Sequence, residues 1–268
     1  MRTSLPTAHR LLRTSALALT AGTAACASGR AAPPALVAPD RPGYSYGTAT
    51  APAGATQLEV GYSNTRAVGQ AYHSLGEGLL RVGVGPRTEL RVVANSYAIR
   101  ATGGETARGL EDAKLGFKQR LVAGSGKSDL SGSSVSLLGG VSVPTGSVGF
   151  GTGAYQPEAT LAAVVPLDAH ASVTGNVGYA YAAAAEDRRD HRMLGTVAGW
   201  YALSSSLSVF GEYAGSQLGR DAGSRLHYLD AGVAVVPISN IQLDARVGHG
   251  VNGERDDYFF GFGLTRRW

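Results

Sequence analysis

A chain of 268 residues with 38 glycines and only 7% aromatic residues is a poor candidate for a dense soluble core, because glycine weakens strands and gives a core little to pack. Its single cysteine, Cys26, excludes a disulfide framework or a multi-cysteine zinc site within one chain. The formal charge of +4 falls to +1 once Arg2, Arg10 and Arg13 are set aside as part of an export signal, so charge offers no case for a nucleic-acid partner.

Residues 1–27 read as that signal peptide. Arg2, Arg10 and Arg13 form a basic opening, residues 15–25 are an apolar run, and small residues surround Cys26. The run is too short to span a bilayer as a helix, and no later stretch approaches the ~20 apolar residues that would be needed. Ala24-Ala25-Cys26 also suits a lipid-modified N-terminus, but Thr23 stands where a large aliphatic residue is usual, so ordinary cleavage is the reading adopted. Residues 28–55, rich in Pro, Ala and Gly and without periodicity, read as an extended periplasmic lead-in.

From residue 56 to 268 the pattern is strand-like almost end to end. Twelve strands are expected, over 56–64, 71–84, 88–98, 110–122, 134–144, 154–165, 169–181, 190–203, 206–215, 225–236, 240–250 and 257–268. Most reach the ~9–11 residues that a tilted strand needs to cross the hydrocarbon layer. Their links alternate in length. Pro86-Arg87, Pro166-Leu167-Asp168, Ser204-Ser205 and Pro237-Ile238-Ser239 are tight. Residues 65–70, 99–109, 145–153, 182–189, 216–224 and 251–256 are longer and polar. Short periplasmic turns and longer external loops are the habit of outer-membrane barrels, whereas a soluble β-sandwich has no reason to alternate. Residues 123–133 break the rule as a long link on the periplasmic side.

Strand faces alternate as well. Leu58, Val60 and Tyr62 alternate with Gln57, Glu59 and Ser63, and Ile241, Leu243, Ala245 and Val247 with Gln242, Asp244 and Arg246. Tyr62, Tyr179, Tyr181 and Tyr213 fall near strand ends, where aromatic girdles sit. In the last strand Tyr258, Phe260, Phe262, Leu264 and Trp268 share one face, a lipid-facing strand that finishes in an interfacial aromatic and suits handling by the barrel-assembly machinery. Lipid tolerates no open sheet edge, so such strands must close on themselves. The fold class expected is all-β, a single antiparallel transmembrane β-barrel of about 12 strands in the outer membrane, with outer-membrane lipid around it.

The polar faces then line a lumen or solute path. The acids there are Glu59, Glu77, Glu89, Asp112, Glu158, Glu212, Asp230 and Asp244, and the bases Arg81, Arg91, Lys114, Lys118, Arg120 and Arg246. Both signs together argue against strong ion selectivity; a salt-bridge web stiffening the wall competes with a selective constriction. Neutralising Arg81, Arg91 and Lys118 would shift a conducting path toward cations. Phe210 points inward on this reading, and Trp200 has an ambiguous phase.

Enzyme and cofactor signatures are lacking. Gly124-Ser125-Gly126-Lys127-Ser128 resembles the tail of a phosphate-binding loop, but that pattern needs a glycine where Leu121 stands and a helix after it, and neither is found in the sequence. No G-x-S-x-G elbow occurs, and His73, His170, His191, His227 and His249 are scattered without metal-ligand spacing. Neither a metal nor another cofactor is expected.

Three segments carry a family resemblance. They are Asp40-Arg41-Pro42-Gly43 leading to Gln57-Leu58-Glu59-Val60-Gly61-Tyr62; Asp112-Ala113-Lys114-Leu115-Gly116-Phe117-Lys118 followed by Val143-Pro144-Thr145-Gly146; and Tyr228-Leu229-Asp230-Ala231-Gly232 with the closing 256–264 strand. They resemble the outer-membrane transporters named for the MetA pathway of phenol degradation. The resemblance implies an outer-membrane barrel that passes small aromatic or other hydrophobic compounds; it supplies no binding residues. The function expected is passive passage of small-molecule solutes. The alternative is a closed barrel with a structural or interaction role in the envelope, and a soluble secreted β-protein is the third reading.

Overall fold

The computed structural model describes residues 36–124, 132–183, 189–219, 225–251 and 257–268. The expected signal peptide with Cys26, the Ser125–Ser128 part of the phosphate-loop look-alike and most of the long 123–133 link lie outside these residues.

Among the described residues fifteen strands form one antiparallel sheet. They are β1 (Thr56–Ala67), β2 (Gln70–Leu75), β3 (Leu79–Gly85), β4 (Thr88–Val93), β5 (Tyr97–Thr102), β6 (Glu105–Leu110), β7 (Ala113–Val122), β8 (Ser134–Val143), β9 (Gln156–Pro166), β10 (Ala171–Ala183), β11 (Arg189–Ala202), β12 (Leu207–Leu218), β13 (Arg225–Ile238), β14 (Ile241–Gly250) and β15 (Tyr258–Arg267). Each pairs with its neighbour, and β15 returns to β1 from Gln57 opposite Arg267 to Arg66 opposite Tyr258, which closes the cylinder. Three staves are interrupted. β2 and β3, β5 and β4, and β6 and β7 are external and periplasmic halves of single staves, so twelve staves make the circumference. Closure removes the edge amides that lipid cannot satisfy.

The side-chain period decides the two faces. Along β15, Phe262 and Leu264 are exposed while Phe259 and Thr265 are buried. Leu90, Leu115, Val177, Val197, Leu243 and Val247 on other staves are likewise exposed. A soluble protein hides such residues; a barrel wall turns them to acyl chains. Arg266, charged on this outer face, folds its guanidinium over the Trp268 ring at 4.8 Å, keeping its stem along apolar surface.

The three interruptions lie side by side. Gly76, with φ of +83°, breaks the second stave, and the next two break at residues 94–96 and 111–112. Backbone bonds still cross the breaks: Gly76 N–H donates to Gly61 O at 2.9 Å, Ala94 N–H to Gly78 O at 2.8 Å and Glu111 N–H to Ser96 O at 2.9 Å. Beyond them the wall continues as hairpins where loops were expected. The polar 99–109 stretch completes β5 and forms β6 around a Gly103-Gly104 turn. The 144–153 loop folds onto this hairpin: Ser147 N–H donates to Leu110 O at 2.8 Å, and the Arg100 guanidinium lies 4.9 Å from the Phe150 ring centre.

Candidate functional site

Residues 36–55 contain no strand or helix, and they do not remain outside the barrel as a periplasmic lead-in. They run as a strap along the inner wall. The strap starts at the periplasmic rim, where Val37 N–H donates to Ser239 O at 2.7 Å. Tyr46 N–H then donates to Asn176 Oδ1 on β10 at 2.6 Å, Ser136 Oγ on β8 to Thr48 O at 2.8 Å, and Ala51 N–H to Glu89 Oε2 on β4 at 2.6 Å. A strap without periodic partners of its own finds its hydrogen bonds on the polar inner face.

Its firmest hold is a cluster of three acids and three bases. Asp40 of the strap accepts from Lys118 Nζ at 2.7 Å and from Arg91 Nη1 at 2.6 Å. Arg81 donates to both oxygens of Glu89 at 2.9 Å, to Glu59 Oε1 at 2.9 Å, and to the strap carbonyls of Ala38 at 2.9 Å and Ala49 at 2.7 Å. Glu59 in turn accepts from Asp40 N–H at 3.0 Å. Glu59, Arg81, Glu89 and Lys118 are fully buried. Equal numbers of opposite charges, each hydrogen-bonded, let the cluster exist away from water. Burial raises the Asp40 carboxyl, but the Lys118, Arg81 and Arg91 charges outweigh it and hold the group well below the usual carboxylate range.

A second hold lies across the lumen. Glu212 on β12 accepts Tyr44 N–H at 2.6 Å, Ser45 N–H at 2.7 Å and the Ser45 hydroxyl, which also meets Thr196 Oγ1 at 2.7 Å. Between the two holds, Arg41 donates to Glu77 at 2.9 Å and lies 3.4 Å from Asp244. Inner-wall glycines make room for this: a Cβ on Gly61 or Gly263 would overlap the Arg41 guanidinium, and one on Gly83 would overlap the strap backbone at Ala51 and Pro52.

Of the residues assigned to the lumen, Glu59, Arg81, Glu89, Arg91 and Lys118 therefore meet in one cluster, and Glu77, Glu212 and Asp244 hold the strap elsewhere. Arg120 Nε reaches Thr48 O at 3.2 Å, and Lys114 pairs with Glu158 at 2.6 Å beside a cavity of about 50 Å³ under Tyr46. Arg246 lies 3.8 Å from Asp230, whose oxygens have no hydrogen-bond partner among the described residues. Asp112 stands apart, at the break between β6 and β7, where it accepts Gly146 N–H and Thr152 N–H of the 144–153 loop, each at 2.8 Å.

The side of the lumen formed by β11–β15 carries rings. Trp200 faces inward and stacks on Phe210 with centroids 4.7 Å apart. Tyr44 of the strap lies 6.0 Å from Tyr228 and 5.8 Å from Phe259, with the Arg246 guanidinium 4.6 Å from its centre. Tyr228 and Phe259 stand near the external ends of β13 and β15, Phe210 and Trp200 near the periplasmic ends of β12 and β11. Tyr44, 38% exposed, sits between them. Only Phe210 and Trp200 of this row stood out in the sequence.

A further grouping escaped the sequence. Three histidines that looked solitary are bonded to girdle tyrosines on the outer face: His73 to Tyr62 at 2.8 Å, His191 to Tyr179, and His227 to Tyr213. In each case the histidine lies two residues before the tyrosine's cross-strand partner, which is Leu75, Met193 and Leu229 in turn. The shared diagonal was the available signal.

A closed antiparallel barrel with an apolar outer belt and a strap across a polar, ring-bearing lumen is an outer-membrane barrel fold. The family-wide sequence profile described as "Putative MetA-pathway of phenol degradation" matches residues 39–268, and the chain belongs to that family. The matched span begins at the strap, one residue before Asp40. Among solved structures, the chain is similar to the COG4313 outer membrane channel from Pseudomonas putida F1, with a TM-score of 0.63 and 14% identity over 85% of this chain and 99% of that one. It is also similar to the KdgM porin (TM-score 0.47, 11% identity, 78% of this chain and 98% of that one) and the CymD monoaromatic hydrocarbon channel (TM-score 0.45, 10% identity, 81% and 89%). No curated protein matches the chain. The protein resides in the outer membrane.

Proposed function

We propose that this chain is a channel for the passive passage of small aromatic or hydrophobic solutes, with the strap as its constriction. The observation that carries this reading is the row of rings from Tyr228 and Phe259 through Tyr44 to Phe210 and Trp200 on one side of the lumen. A hydrophobic solute gains from ring surface what it would lose among paired charges. The charged residues opposite hold the strap rather than the solute. Residues 1–27 supply export, and the last strand, with Phe262, Leu264 and Trp268 outward, supplies recognition by the barrel-assembly machinery.

The closed, structural barrel remains the second reading, because the strap spans the lumen and the cavity beneath Tyr46 is only about 50 Å³. Liposome uptake separates the two. The channel reading expects a monoaromatic solute to enter faster than a sugar of similar size, and Tyr44→Ala to change that rate with the barrel intact. No uptake of either solute by wild type and Tyr44→Ala favours the closed barrel.

A further inference from the structure

A buried carboxylate ordinarily has its lone pairs filled, so one without a partner calls for an explanation. Asp230 on β13 is 6% exposed, and neither of its oxygens has a hydrogen-bond partner among the described residues. The base that approaches it, Arg246 on β14, stops 3.8 Å away, with Nε and Nη1 likewise unpartnered among the described residues. In the Asp40 cluster, by contrast, Arg91 and Lys118 close to 2.6 Å and 2.7 Å. Glu212 stands opposite Asp230 across the β12–β13 pair and adds a second carboxylate, matched by strap N–H groups and a hydroxyl rather than by a base.

Arg246 lies against rings instead. Its guanidinium is 4.6 Å from the centre of the Tyr44 ring and 5.2 Å from that of Phe259. Tyr44, Tyr228 and Phe259 form one group, with centroids 5.7 to 6.0 Å apart. Gly248 on β14 permits this arrangement. It stands opposite both Asp230 and Phe259, and a Cβ there would fall 2.2 Å from the Phe259 ring and 2.7 Å from Asp230 Cβ. Three rings and an unfilled carboxylate thus share one spot on the inner wall, and a tethered cation sits among them without a hydrogen bond to the acid. Tyr44, 38% exposed, keeps one ring of the group accessible.

We propose that Asp230 and the rings of Tyr44, Tyr228 and Phe259 form a binding site for an organic ammonium, a primary amine on a small aromatic body, which enters by displacing the Arg246 guanidinium. Ring faces attract a cation. A primary ammonium brings three donors to a carboxylate that has none. Its aromatic body can follow the ring row toward Phe210 and Trp200. A neutral aromatic would leave Asp230 unfilled, and an anion would meet Asp230 and Glu212 with like charge. The inference adds a solute class to the channel reading and rests on that reading for the route to Tyr44.

The test is calorimetric titration of the full-length mature barrel in neutral detergent, at neutral pH and against empty micelles, with benzylammonium, benzyl alcohol or benzoate. The expected result is saturable binding of benzylammonium, at least about tenfold tighter than benzyl alcohol, with benzoate weakest. Two variants should then move the affinity in opposite directions. Asp230→Asn should weaken benzylammonium at least about tenfold and leave benzyl alcohol little changed. Arg246→Gln should tighten benzylammonium by removing its competitor, whereas a merely structural pair would lose binding in both variants. Heat-modifiable gel migration checks closure of each variant; if one does not close, the three solutes on wild type decide alone. Equal affinity for benzylammonium and benzyl alcohol, no saturable benzylammonium binding by wild type, or weaker binding by Arg246→Gln overturns the proposal. Each of these leaves the channel reading to its own uptake assay. Absence of aromatic uptake with benzylammonium binding intact overturns the channel reading alone.

Discussion

The two sides of the lumen use polar chemistry in opposite ways. On the β1, β3, β4 and β7 side, six charges are paired with one another and with the strap. On the β11–β15 side, the strap is held amid rings by the Glu212 carboxylate and, through Arg41, by the longer 3.4 Å pair with Asp244, and the neighbouring Asp230 lacks a hydrogen-bond partner among the described residues. The first side is an anchor and the second a latch. A segment tied firmly at one place and lightly at another can yield at the second without leaving the barrel.

Breaking the anchor should have the largest effect. Asp40→Ala leaves Lys118 and Arg91 buried without their shared partner, which costs about 3–5 kcal/mol. The strap should become open to added protease and the conductance should rise, while heat-modifiable migration persists because closure depends on strand pairing. Continued protection of residues 36–55 would remove the anchor from the account. The latch is the smaller test. Glu212→Gln keeps the shape and removes the charge, a change of about 1.5–3 kcal/mol at most for bonds to a charged acceptor. It should bring flickering openings in single-channel records, with the strap still resistant to protease.

The smallest effect concerns pH. Because the Asp40 carboxyl titrates below its ordinary range in the folded protein, its contribution is complete above the unfolded value near 4 and is lost only as pH falls through the depressed one. Protease protection around Asp40 should be the same at pH 7 and pH 5. A loss of protection by pH 5 would contradict the charge pairing.

The same comparison explains what could be read from the sequence. Period-two alternation revealed the staves and their two faces, so Glu59, Arg81, Glu89 and Lys118 were assigned inward from parity alone. Their partner was hidden, because residues 28–55 have no period and a Pro-, Ala- and Gly-rich stretch reads as a linker. Its signal was compositional: Asp40, Arg41, Tyr44 and Tyr46 put charges and rings where a linker has no use for them. The expected shift toward cations on neutralising Arg81, Arg91 and Lys118 changes accordingly. Those bases face Asp40, Glu59 and Glu89, so their loss would strand three buried acids and loosen the strap. The interrupted staves were half legible. Gly76 and Gly78 are glycines inside a strand pattern, and Gly103-Gly104 is a hairpin turn within what looked like a loop. Pairing across the breaks is a tertiary fact that no local pattern carries.

The strap's place inside the barrel is tested most directly by a cysteine pair at Ser45 and Thr196, whose side-chain oxygens stand 2.7 Å apart, within disulfide reach. The account predicts that Ser45→Cys with Thr196→Cys cross-links in the outer membrane, and that reduction restores the wild-type uptake of a monoaromatic solute that the cross-link had lowered. A pair that stays reduced under oxidising conditions, or a cross-link that leaves uptake unchanged, would contradict it.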